Sequence, residues 1–81
     1  MLNNNEIIEV IQKSIQEVAP DVNALELNPE EDIRDDLDLD SMDFMNLIIS
    51  VSKKTGVKIP ESDYNQVQTL NAMVDYISSR I

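Results

Sequence analysis

Ser41 sits among the densest carboxylates of the chain, with Asp36, Asp38, Asp40 and Asp43 all within five positions of it. A serine hydroxyl works as an enzyme nucleophile only beside a general base. The chain has no histidine, and Lys53 and Lys54 fall about three turns further along the helix that Ser41 would open. It has no cysteine either, which removes a thiolate nucleophile, a disulfide framework and a Cys-based zinc site. The chain therefore reads as a protein that is not an enzyme. On residue type alone, a serine in this place is a helix cap or a first-turn residue. The run Asp36-x-Asp38-x-Asp40 mimics the first ligands of an EF-hand loop. However, the sixth position is Ser41 rather than Gly and the twelfth is Leu47 rather than Glu, so no metal site is expected.

Net charge is −10, from 16 acidic and 6 basic side chains in 81 residues, with a pI near 4.1. Such a surface repels nucleic acid, whose binding requires cations that replace condensed counterions. The charge is uneven: residues 1–40 hold 12 acids and 2 bases, whereas residues 41–81 hold 4 of each. From Glu26 to Asp43, nine acids face one base, Arg34. A block of this kind is either a solvated loop or a docking patch for a basic partner, built chiefly from Asp36, Asp38, Asp40 and Asp43.

Hydrophobic residues make up 42% of the chain, enough for a thin core in one small domain spanning residues 1–81. No apolar run exceeds three residues, and the N-terminal stretch lacks the basic and apolar regions of a signal peptide. These features predict a cytoplasmic monomer with no membrane insertion.

Apolar spacing then places the elements. Ile7, Ile11, Ile15 and Val18 mark a helix over residues 5–18, with Asn3, Asn4 or Asn5 as its cap and Pro20 as its limit. Residues 20–40 form a long loop without sustained periodicity. Its Leu25, Leu27, Ile33, Leu37 and Leu39 predict that it packs down, and Pro29–Asp32 predicts a short helical turn. A second helix runs from 41 to 55, capped by Asp40 and closed by Gly56. Glu61–Val67 forms a brief third helix, and Thr69 caps a last one over residues 70–80. The expected fold is all-α, a small four-helix bundle of three main helices and one short helix, with a long loop between helices one and two.

The second helix carries two apolar stripes. With Phe44 at 0° and about 100° per residue, Phe44, Leu47, Ile48 and Val51 lie within about 60° of zero. Met42, Met45 and Ile49 lie at about 160°, 100° and 140°. One stripe suffices to bury a helix in a small bundle, so two mean either a helix sandwiched in the core or a second face that meets a partner; Asn46 and Lys53 flank the second stripe and favour the partner-facing reading. Flexible methionines suit a surface that meets several partners.

The stretch Asp36-Leu37-Asp38-Leu39-Asp40-Ser41-Met42-Asp43 resembles the attachment motif of acyl carrier proteins. The resemblance covers about residues 5–80. Lys58-Ile59-Pro60-Glu61 is similar to the family's Ile-Pro connector, and Thr69-Leu70 through Val74-Asp75-Tyr76-Ile77 to its last helix. The resemblance implies 4′-phosphopantetheine held covalently on Ser41 and delivered from coenzyme A by a separate phosphopantetheinyl transferase. The arm's thiol would hold acyl groups as thioesters, presented to acyl-loading and acyl-processing enzymes with basic patches. Peptidyl, aminoacyl or D-alanyl loading is an alternative. Leu39-Asp40 stands where peptidyl carriers tend to show Gly-Gly or Gly-His, which favours acyl cargo. An unmodified acidic helical adaptor is the other alternative.

The chain departs from the family pattern in two places. Asp38 stands where the family usually has Gly, which predicts a somewhat different loop path, since Asp tolerates positive φ less well. Asn46, Ser52 and Lys53 stand where the family's second helix usually shows exposed acids, which points to a specialised carrier.

Overall fold

The computed structural model describes residues 2–81, and among these the regular structure is helical. Helix α1 spans Asn4–Val18, and its start is a full capping box. Asn3 Oδ1 accepts from the Glu6 amide at 2.9 Å, and the Asn3 amide donates to Glu6 Oε1 at 3.1 Å. Ile7, Ile11 and Ile15, one turn apart, are fully buried.

The loop after α1 holds more structure than its sequence suggests. A 3-10 turn forms at Ala24–Glu26, and a short helix, α2, spans Ile33–Leu37. The helical turn expected at Pro29–Asp32 is not present; the chain turns there, and Asp32 caps α2 by accepting from the Arg34 amide at 2.9 Å. Tertiary hydrogen bonds hold this segment. The Ile33 amide donates to the Gln68 carbonyl at 2.8 Å, and the Asn71 amide donates to the Pro29 carbonyl at 3.1 Å. Asp32 and Thr69 form an isolated antiparallel bridge. Leu27, Ile33 and Leu39 are buried and Leu37 is half-buried, as the sequence predicts, but Leu25 points outward with 78% exposure.

Helix α3 spans Ser41–Thr55 and ends at Gly56, whose φ of 75° is the left-handed conformation that glycine adopts without steric cost. A 3-10 turn, Glu61–Gln66, takes the place of the expected third helix. Helix α4, Leu70–Ser78, is capped by Thr69 and stops two residues short of the predicted end. Helix α1 packs on α3 and α4 around a core of aliphatic side chains joined by Phe44, Met73 and Tyr76. The chain thus forms the predicted all-α bundle, with α2 as an additional short element inside the long loop.

A polar cluster crosses the α1–α3 contact. Ser14 is fully buried on the isoleucine face of α1 and donates to the Val10 carbonyl at 2.8 Å. Ser50 Oγ lies 3.1 Å from Ser14 Oγ and 2.7 Å from Glu17 Oε1, and Lys54 Nζ lies 2.6 Å from the same carboxylate oxygen. Hydrogen bonds from Lys54 and then Ser50 hold the Glu17 carboxyl below its usual range.

Candidate functional site

Asp40 turns the chain into α3. Its backbone is extended (φ −83°, ψ 178°), and its Oδ1 accepts from the Asp43 amide at 2.8 Å. Ser41 is therefore the first helical residue and not the cap. It is exposed, and because Asp40 supplies the capping oxygen, its hydroxyl is left free of that duty. The first turn of a 15-residue helix whose inner face is buried gives this hydroxyl a rigid support.

The two stripes of α3 separate as expected. Phe44, Leu47, Ile48 and Val51 are at most 3% exposed. Met42, Met45 and Ile49 are 65%, 40% and 42% exposed. Asn46 and Lys53 are also exposed, so this outer face is apolar with few charges. A groove of about 450 Å³ adjoins Ser41, Met42 and Met45 and continues to Glu61 and Tyr64 of the following 3-10 turn, with Arg34 of α2 also lining it. Arg34, Glu61 and Tyr64 escaped the sequence reading because they approach Ser41 only through tertiary folding. The one available signal was that Arg34 is the single base between Lys13 and Lys53.

The four candidate docking acids differ in their local duties. Asp36, Asp38 and Asp40 are exposed, and Asp43 is half-buried. Asp36 Oδ2 accepts from the Asn28 amide at 2.9 Å, so it also staples the loop. Asp40 caps α3 with one oxygen. In each, the other carboxylate oxygen is not engaged by that bond, so the negative charge remains on the surface. Among the described residues no three carboxylates converge as a set of metal ligands.

Asp38 takes up the positive φ that the sequence pattern points to. It ends α2 with φ 55° and ψ 43°, the left-handed conformation a glycine would take there. Its own amide and that of Leu39 both donate to the Arg34 carbonyl. A non-glycine residue gives up stability in this conformation, Asp less than most. Asp38→Gly should stabilise the fold by up to about 1 kcal/mol, with Asp38→Asn as the charge-matched control and Asp38→Val clearly destabilising. Urea unfolding midpoints of the three variants check this; a less stable Gly variant would contradict it.

Electrostatics acts against this region. Among the described residues the two ion pairs are Arg34–Asp32, at 3.6 Å, and Lys54–Glu17, at 2.6 Å. Most of the nine acids from Glu26 to Asp43 thus repel one another without compensation. Screening at close range should raise the melting temperature as salt is added, and millimolar magnesium should act similarly without a fixed stoichiometry. A melting temperature indifferent to both would show that the loop disperses its charge.

The comparisons with known proteins converge on one family. The family model described as "Phosphopantetheine attachment site" matches residues 9–77. The acyl carrier protein of Acidothermus cellulolyticus is 32% identical over 78 residues, which cover 96% of this chain and 92% of that protein. The meromycolate extension acyl carrier protein of Mycobacterium leprae is 36% identical over 76 residues, covering 94% of this chain and 65% of that protein. A solved structure of the acyl carrier protein from Enterococcus faecalis superposes with a TM-score of 0.73 at 28% identity, covering 99% of this chain and all of that one. An all-helical fold, an exposed serine opening a rigid helix and these relatives together place the chain in the acyl carrier protein family, whose cofactor is 4′-phosphopantetheine.

Proposed function

We propose that residues 1–81 act as one carrier domain that holds acyl groups as thioesters on a 4′-phosphopantetheine arm attached to Ser41, and that it serves a specialised lipid or secondary-metabolite route in the cytoplasm. The observation that supports this reading is the exposed Ser41 hydroxyl, relieved of capping by Asp40, beside an open apolar groove. Attachment forms the Ser41 Oγ–phosphorus bond as the pyrophosphate P–O bond of coenzyme A breaks. Adenosine 3′,5′-bisphosphate leaves, and the hydroxyl proton passes to the transferase. When bound, the arm supplies the thiol that this Cys-free chain lacks. The chain itself contributes the hydroxyl, its rigid support and a surface for partners. Incubation with coenzyme A and a broad-range phosphopantetheinyl transferase, read by intact mass, tests the assignment. A chain that gains no mass is an adaptor and not a carrier.

Specialisation is supported by the outer face of α3. It keeps Met42, Met45 and Ile49 exposed but shows Asn46 and Lys53 in place of acids. Steering charge then comes from Asp36, Asp38, Asp40 and Asp43. Rim charges govern association and its salt dependence, whereas buried anchors govern release. Asp36→Asn and Asp38→Asn keep the local backbone but remove charge, so they should slow association with the chain's own loading enzyme. Met45→Ala and Ile49→Ala should speed release. A ketoacyl synthase of a standard fatty acid system should turn over the acyl-loaded chain poorly, and N46E with K53E should raise its kcat/KM. Ser52 is unsuited to this test, because it is half-buried and donates to the Val57 carbonyl at 2.6 Å. Efficient turnover of the original sequence, unmoved by both substitutions, would remove the case for specialisation.

A further inference from the structure

We propose that Arg34 is the counter-ion of the phosphodiester on Ser41, held ready for that role by its stacking on Phe44; the inference rests on the reading of Ser41 as the attachment residue. Arg34 is the one base between Lys13 and Lys53, and it lines the same groove as Ser41. Its guanidinium carbon lies 5.3 Å from the centroid of the Phe44 ring. Phe44 is in turn buried and braced edge-on by Tyr64, with ring centroids 5.9 Å apart at 86°. Stacking on an aromatic face restrains a guanidinium while leaving its N–H edge free to donate.

That edge is weakly committed. Arg34 Nε lies 3.6 Å from Asp32 Oδ1, beyond hydrogen-bond length, and the side chain is 39% exposed. A phosphodiester on Ser41 brings another negative charge next to Asp40 and Asp43. Without a cation this addition worsens the repulsion in an already crowded acidic segment. Arginine pairs with phosphate through parallel N–H donors in a fixed fork, so it offsets that charge and also sets the direction in which the arm leaves the helix. Arg34 therefore acts as a positioning residue for the arm.

The test compares the chain before and after arm attachment, with attachment verified by intact mass. In the wild type, the Arg34 Nε–H resonance in a 15N spectrum should move on attachment, and Arg34→Gln should displace the 31P resonance of the arm. Attachment should also lower the melting temperature by about 2–4 °C more in Arg34→Gln than in wild type, an excess that shrinks in high salt. An Arg34 that serves only Asp32 would lower apo and arm-bearing forms equally. An unmoved Nε–H resonance in protein that has gained the arm's mass overturns the inference and leaves the carrier assignment standing. No mass gain overturns both. The wild-type resonance decides even if the variant folds poorly.

Discussion

Ser41→Ala should abolish attachment of the arm and leave the fold as stable as wild type within about 0.5 kcal/mol. The loss is expected to be complete, because the phosphodiester needs the serine oxygen itself. Stability should be spared for two structural reasons. Ser41 is exposed, so the substitution opens no cavity. The helix-start hydrogen bond belongs to Asp40, whose Oδ1 receives the Asp43 amide, and alanine is the best helix former for the position that follows. Asp40→Ala should show the opposite pattern. It keeps the hydroxyl but loses the cap, at about 0.5–2 kcal/mol. Intact mass after incubation with coenzyme A and transferase, alongside thermal melts, reads both. A labelled Ser41→Ala chain would move the attachment point elsewhere. A strongly destabilised one would mean that Ser41 has a structural duty not visible in its surroundings.

The largest stability effect should come from the inner face of α3. Leu47 is fully buried at the centre of the helix. Truncation to alanine loses transfer energy and leaves a cavity, together about 2–5 kcal/mol. A domain of this size has roughly 4–12 kcal/mol in all, so Leu47→Ala should lower the melting temperature by about 10–30 °C and leave much of the protein unfolded near physiological temperature. Met45, two residues earlier on the same helix, is 40% exposed. Met45→Ala should cost less than about 1 kcal/mol while weakening partner retention. Calorimetric melts of the two variants separate the faces of α3. Comparable destabilisation by both would show that the outer stripe is covered in solution.

The faces of α3 were legible in the sequence because helical periodicity alone puts residues 44, 47, 48 and 51 on one side and 42, 45 and 49 on the other. The caps were legible for a related reason. Asp40 before Ser41, Thr69 before Leu70 and Gly56 after Thr55 each satisfy a local hydrogen-bonding or backbone requirement that their neighbours cannot. Ser14 was not legible. Its hydroxyl sits on the isoleucine face and survives burial because the Val10 carbonyl and Ser50 satisfy it, and Ser50 lies 36 residues away. Leu25 misled for the reverse reason. Its apolar type argued for burial, but the 3-10 turn at Ala24–Glu26 buries Ala24 and turns Leu25 to solvent.

What the sequence by itself determined is what short-range rules carry: both limits of α3, the end of α1 and the start of α4, the burial of one α3 stripe, and a serine placed at a helix start beside capping acids. Tertiary structure alone decided the rest. Helix α2 is only five residues long, too short to be stable by propensity, and it exists because Ile33 is buried and hydrogen-bonded to Gln68. Asp38 takes a glycine-like conformation because both of its flanks are tied down, by α2 on one side and by the cap of α3 on the other. The packing that brings Tyr64 edge-on to Phe44 and Arg34 over its face joins three distant segments around Ser41. No local pattern encodes such a meeting, because it depends on how the loop and the 3-10 turn settle on the bundle.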